Sequence, residues 1–196
     1  VPHEAVRGGL AGTFFAVPSV LGIKTNIFML IDFDQQPDHA RVWIYQSSRP
    51  LTGAEAASVQ HFLENQANQW AAHGAPLTAA VRVLHRRFAV VAVDETRNGT
   101  SGCSIDASTR WLKDLGAQLN LDFFDRSMAY LDGDEVKTLA LPEVKIAVAD
   151  GRLTPETPVF NNLVPTLGDF RRSWQVPAGQ SWLKRYFTSQ PVGAHG

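Results

Sequence analysis

The stretch Thr96-Arg97-Asn98-Gly99-Thr100-Ser101-Gly102-Cys103-Ser104 carries the densest binding chemistry in the chain. It follows an apolar run, Arg87 to Val93, and leads into a helical pattern that begins at Ile105. Backbone N–H groups at a helix start attract anions, and glycines let a ligand approach the backbone. Arg97 adds a charge-assisted fork, and Ser101 and Ser104 add hydroxyl donors. The expected ligand-binding residues are Arg97, Gly99, Ser101, Gly102 and Ser104, and the expected ligand is a small anion. The same residues also have a plain structural use, with Ser104 capping the helix and the glycines making turns.

Cys103 lies in the same stretch. A helix N-terminus and a nearby arginine favour thiolate, the reactive form. A thiol nucleophile also needs a base, usually His, and His85 stands at a hairpin turn. Cys103 is therefore the candidate catalytic residue of an enzyme reading, against the alternative of a small buried side chain. It does not fit the Cys-x5-Arg phosphatase spacing, because the next arginine is Arg110.

A different chemistry is spelled by Asp125, Glu135 and Lys137, with Asp122 nearby. An Asp followed by Glu-x-Lys on adjacent strands could hold Mg²⁺ and steady a water, as in metal-dependent nucleases. The pattern is short, and Glu143-Val144-Lys145 repeats it. Near the C-terminus, Phe170, Arg171, Arg172, Trp174, Trp182, Lys184, Arg185, Tyr186 and Phe187 interleave aromatics with cations. Such segments stack on bases, dock partners, or pack their rings on a sheet with the charges in water.

Several chemistries are excluded by motif. A P-loop needs Gly-x4-Gly-Lys-Ser/Thr, and no Gly-Lys pair occurs anywhere. The Rossmann glycine pattern and the Gly-x-Ser-x-Gly elbow are absent too. One cysteine and six scattered histidines give no metal-ligand spacing, so no metal and no cofactor are expected. With 18 basic and 19 acidic residues the net charge is −1, which gives no general case for nucleic-acid or anionic-membrane binding. A lone cysteine makes no internal disulfide, and a cytoplasmic location is expected.

The elements that must position these residues are legible. Arg41 to Gln46 is β-branched and aromatic, a strand. Thr52 and Glu55 have capping-box spacing for a helix running to about Ala72. Leu77 to Leu84 alternates as a half-buried strand, and Arg87 to Val93 is continuous enough for a central one. A helix over 105–120 and a strand over 121–131 follow. The order strand, helix, strand, strand, helix, strand predicts a ferredoxin-like α+β core: an antiparallel sheet with two helices on one face. The other face must be covered by the remainder or used. The remainder predicts a strand at 135–139, a helix between Pro142 and Gly151, a strand in 159–164, a helix opened by Thr166, and a last turn capped by Ser181.

Residues 39–189 are expected to form this single domain, with 190–196 a flexible tail. Residues 1–38 are expected to be a peripheral segment, disordered or upstream of a native start at Met29. The uncharged run Gly8 to Ile23 is shorter than the ~20 apolar residues of a membrane span.

Five strings occur in order: Arg41-Val-Trp-Ile-Tyr-Gln46, Ser101-Gly-Cys-Ser-Ile-Asp106, Asp132-Gly-Asp-Glu-Val-Lys137, Val159-Phe-Asn-Asn-Leu-Val164 and Ser181-Trp-Leu-Lys-Arg185. Together they resemble an uncharacterised bacterial family whose members often carry the label "ABC transporter ATPase". The resemblance covers Arg41 to Phe187. It implies a family name but no nucleotide site, since the label's P-loop has no counterpart here. The leading expectation is non-catalytic binding of a small anion or a protein partner at the Arg97–Ser104 loop. A thiol enzyme, a nuclease-like site and a homodimer built on the sheet stand as alternatives.

Overall fold

The computed structural model describes residues 32–72, 75–96 and 102–188. The first sheet is built from β1 (Arg41–Gln46), β4 (Thr78–Leu84) and β5 (Phe88–Asp94), in the order β1-β5-β4. β5 is antiparallel to both neighbours, with Val91 opposite Trp43 on one side and Val81 on the other. Between β1 and β4 lies α1 (Gly53–Asn68). Its start has the expected capping box: Thr52 Oγ1 accepts from the Glu55 N–H, and the Glu55 carboxylate accepts from the Thr52 N–H. Past its end the chain makes a two-stranded ribbon, β2 (Ala71–Ala72) with β3 (Ala75–Pro76). α2 (Gly102–Leu119) follows β5. It ends where Asn120 takes φ +50° and the Leu121 N–H reaches back to the Gly116 carbonyl at 2.9 Å, a left-handed helix stop.

Here the architecture departs from the sequence expectation. A ferredoxin-like core would place the next strand beside β1 in the same sheet. Instead, residues 121–127 are irregular and make one parallel bridge, Gln46 to Phe124. The strand proper, β6 (Met128–Asp132), belongs to a second antiparallel sheet. That sheet runs β7-β6-β8-β9, with β7 at Glu135–Leu139, β8 at Pro158–Phe160 and β9 at Gln175–Pro177. Gly133 at φ +61° lets β6 turn into β7 through two residues. α3 (Val144–Ala149), α4 (Leu167–Ser173) and α5 (Lys184–Phe187) are the remaining helices among the described residues, with Thr166 capping α4 as its spacing predicts. Among the described residues the fold is α+β, with two principal antiparallel sheets and five α-helices.

Strand periodicity sorts the side chains into three interfaces. Tyr45, Val81, Val91 and Val93 face α1 and α2, meeting Val59, Leu63, Leu112 and Leu115. Val42, Ala80, Phe88, Val90 and Ala92 face the second sheet, meeting Ala129, Val136, Phe160 and Trp174. On the outer side of the second sheet, Met128, Tyr130 and Val159 pack with Val144, Ala147 and Leu183. The second sheet thus covers the open face of the first. β5 is buried along both faces, which is why its sequence is continuously apolar rather than alternating. Each such Val or Phe contributes about 1.5–3 kcal/mol by leaving water.

The boundary expected at residue 39 leaves out part of this packing. Phe33 is buried in the inter-sheet core, and Arg82 holds Asp34 at 2.8 Å and Asp32 at 3.3 Å. Arg171 pairs with Asp38 and donates to the carbonyls of Asp34 and Gln36. Among the described residues no helix is long and apolar enough to cross a membrane.

Candidate functional site

Of the residues predicted to bind an anion, Arg97, Gly99 and Ser101 lie outside the described residues. Gly102, Cys103 and Ser104 form the first turn of α2, which starts earlier than its apolar pattern suggested. The near flank of this loop is described. Asp94 Oδ1 accepts from the Thr96 N–H at 2.9 Å, from Thr96 Oγ1 at 2.7 Å and is joined to His39 Nε2 at 3.2 Å. These contacts hold the Asp94 carboxyl below its ordinary range, the Thr96 hydroxyl contributing most.

The acidic triplet does not converge. Glu135 pairs with Asp132 at the hairpin turn, whereas Asp125 precedes β6 at its opposite end, where Met128 pairs with Leu139. Lys137 is committed to Glu135. Asp125 accepts from Gln46 Nε2 at 3.2 Å and from Ser127 Oγ at 2.7 Å. Burial pushes its pKa up, but the Ser127 and Gln46 hydrogen bonds outweigh that and leave it lowered. Among the described residues no group of three or more His, Cys, Asp or Glu side chains is placed to hold a metal ion. The C-terminal aromatics mostly pack: Phe170 stacks on Trp174 at 4.6 Å within the inter-sheet core. Trp182 is exposed and sits with Arg185 and Tyr186.

A different place gathers cations. The connection between β4 and β5 is His85 to Arg87, closed by the Arg87 N–H on the Leu84 carbonyl at 2.9 Å. His85 at φ +49° and Arg86 at φ +50° are both left-handed, as a type I′ turn demands. Asn and Gly normally fill such positions, and other side chains there cost about 1–2 kcal/mol each. The turn is held by the Leu51 N–H on the Arg86 carbonyl at 2.7 Å and the Ser47 N–H on the Arg87 carbonyl at 2.9 Å. Between this turn and the edge strand β7 lies a groove of about 730 Å³. Val83, His85, Arg86 and Arg87 form one wall, and 134–139 form the other.

Arg87 is the centre of the groove's electrostatics. It is only 4 % exposed. Its Nη2 donates to the Ser48 carbonyl at 3.2 Å and to Thr138 Oγ1 at 3.3 Å. Its Nε is buried and has no hydrogen-bond partner among the described residues. Burial lowers its pKa, with Asp125 acting in the opposite direction, yet a guanidinium stays charged at neutral pH. A buried donor without a partner costs about 1–3 kcal/mol. His85 is exposed at the mouth, its ring 5.3 Å from Phe160 and 5.8 Å from Trp174, and burial against them lowers its pKa. Arg86 and Lys137 both bear on Glu135, Lys137 more strongly, and hold that carboxyl low.

Sequence reasoning missed this site because its walls lie about fifty positions apart in the chain. The available signal was His85-Arg86-Arg87 itself, three basic residues at a hairpin turn. Comparison with protein-family models, with curated proteins and with solved structures gave no match for this chain.

Proposed function

We propose that the protein binds a small anionic ligand without transforming it, and that the ligand's acidic group is received at Arg87. The observation that carries the reading is the Arg87 guanidinium, nearly buried in the wall of an open groove with its Nε unpartnered among the described residues. Its delocalised charge and planar fork suit a carboxylate or phosphate. The left-handed turn supports the reading further, because strained backbone concentrates at functional sites. The Arg97–Ser104 loop expected from sequence stays in the proposal as a separate anion site, at the other end of β5 from Arg87. So do the resemblance carried by Arg41–Phe187, a cytoplasmic location, and a ferredoxin-like relationship supported by the β1-α1-β4 unit with β5 inserted.

The test is thermal unfolding with citrate or inorganic phosphate at matched ionic strength. Ligand at ten times its Kd stabilises by about 1.4 kcal/mol, which raises the Tm by about 3–6 °C in a chain of this size. Arg87→Met is expected to lose that rise. A wild-type Tm that neither anion moves would overturn the proposal.

A further inference from the structure

The groove has a second property that a simple anion leaves unused. Among the described residues β7 is an edge strand, with β6 as its partner on one side. In an antiparallel pair the backbone groups of successive residues point alternately toward and away from the partner. Asp132 and Glu135 close a two-residue turn, so Glu135, Lys137 and Leu139 direct their N–H and C=O groups to β6. Those of Val136 and Thr138 point outward, into the groove. Residues 134–139 line it consecutively, with Tyr130 of β6 beside them, so it follows the outward edge of β7 and also reaches over the outer face of the second sheet.

Charge decides what fits along that edge. The lining holds Arg86, Arg87, Lys137 and Arg152 against Asp134 and Glu135; Lys137 pairs with Glu135 and Arg152 with Asp150, which leaves Arg86 and Arg87 against Asp134. We infer that the groove takes an extended acidic segment of a partner protein, added to the second sheet as a strand beside β7. This rests on the anion site proposed above and names the kind of ligand that fills it.

The pleat gives the added strand a register. Val136 packs in the inter-sheet core and Thr138 meets Arg87, so both point toward the first sheet. Leu139 packs in the outer cluster, which places Lys137 two residues away on that same side. A residue opposite Thr138 on an added strand points the same way as Thr138. A glutamate or aspartate there directs its carboxylate at Arg87, while the strand's main chain pairs with Val136 and Thr138.

The experiment uses the full chain and a capped seven-residue peptide of threonine and valine with one central glutamate. Two control peptides replace the glutamate by glutamine or methylate alternate backbone nitrogens. The expected result is that each control binds at least about tenfold more weakly, since each loses a charge-assisted contact or main-chain hydrogen bonds. Saturating peptide is expected to slow amide exchange at Val136 and Thr138, whereas citrate leaves both unprotected. Arg86→Gln, on an exposed side chain, should weaken the peptide without unfolding the protein. If the methylated peptide binds within twofold of the parent, or the two amides stay unprotected, strand addition is overturned. Should citrate stabilise the protein while the parent peptide fails to bind, only the strand addition falls. If citrate fails too, the anion site falls with it.

Discussion

Arg87 Nη2 donates to Thr138 Oγ1 at 3.3 Å, tying the residue that enters the central strand of one sheet to the edge strand of the other. One guanidinium thereby fixes the spacing between two sheets and faces the groove their edges enclose. The same Nη2 also bonds the Ser48 carbonyl, so Arg87 anchors the β1–α1 connection as well.

Thr138→Val tests the contribution of the contact. It removes the acceptor and keeps the shape of the side chain. Arg87 retains Ser48, so the expected loss is about 1 kcal/mol of unfolding free energy, measured by urea titration. Citrate should stabilise this variant at least as well as the wild type, because a further guanidinium donor is released.

Behind Arg87 runs a polar chain through the core. Gln46, 2 % exposed, donates to Asp125 and to the Ser127 carbonyl at 3.0 Å, and accepts from Asn162 Nδ2 at 2.9 Å. Asn162 Oδ1 in turn accepts from Trp174 Nε1 at 3.0 Å. Gln46→Leu leaves Asp125 and Asn162 short of partners, and we expect a loss of about 2–4 kcal/mol in urea unfolding. A loss below about 0.5 kcal/mol, the range of an ordinary surface change, would mean the chain contributes little.

Replacing the strained turn should separate stability from binding. His85→Asn with Arg86→Gly supplies the residues a type I′ turn prefers. Relief of two left-handed conformations predicts a gain of about 1–2 kcal/mol, read as a higher urea midpoint. The same variant loses the Arg86 charge and is expected to bind citrate more weakly.

Acid unfolding carries a signature of the capped helix start. The Arg49 fork, with bonds of 2.8 and 2.9 Å, together with the Thr52 N–H, lowers Glu55 to about 2 from 4.5. A depressed carboxyl contributes stability above its unfolded pKa and loses it as pH falls through the folded one. Arg49→Met should therefore flatten the stability–pH curve between about 4.5 and 2 and leave its shape at neutral pH unchanged. Urea midpoints measured across that interval check it.

Much of the first layer was legible from local chemistry. Thr52 with Glu55, the unbroken apolar run at Val90 to Val93, and Gly133 at a two-residue turn each specify their element without reference to the rest of the chain. The placement of residues 121–131 was not legible. Met128 to Leu131 has the composition of a strand for either sheet, and its partner is chosen by long-range packing of Ala129 against Val42, Phe88 and Val90. The left-handed turn at His85 and Arg86 was hidden for a related reason, since neither residue signals it and tertiary hydrogen bonds from Ser47 and Leu51 hold it in place. The loop favoured by sequence, Arg97 to Ser104, has its described flank in the Asp94, Thr96 and His39 contacts.

The most direct measurement of the central claim is the Nε–H resonance of Arg87 in a ¹⁵N-labelled sample titrated with inorganic phosphate at constant ionic strength. Binding at this guanidinium predicts a saturable shift of that resonance, with the Arg152 Nε–H, already engaged by Asp150, much less affected. An Arg87 resonance that stays in place through the titration, or moves only linearly and in step with the other arginines, would contradict an anion site in the groove.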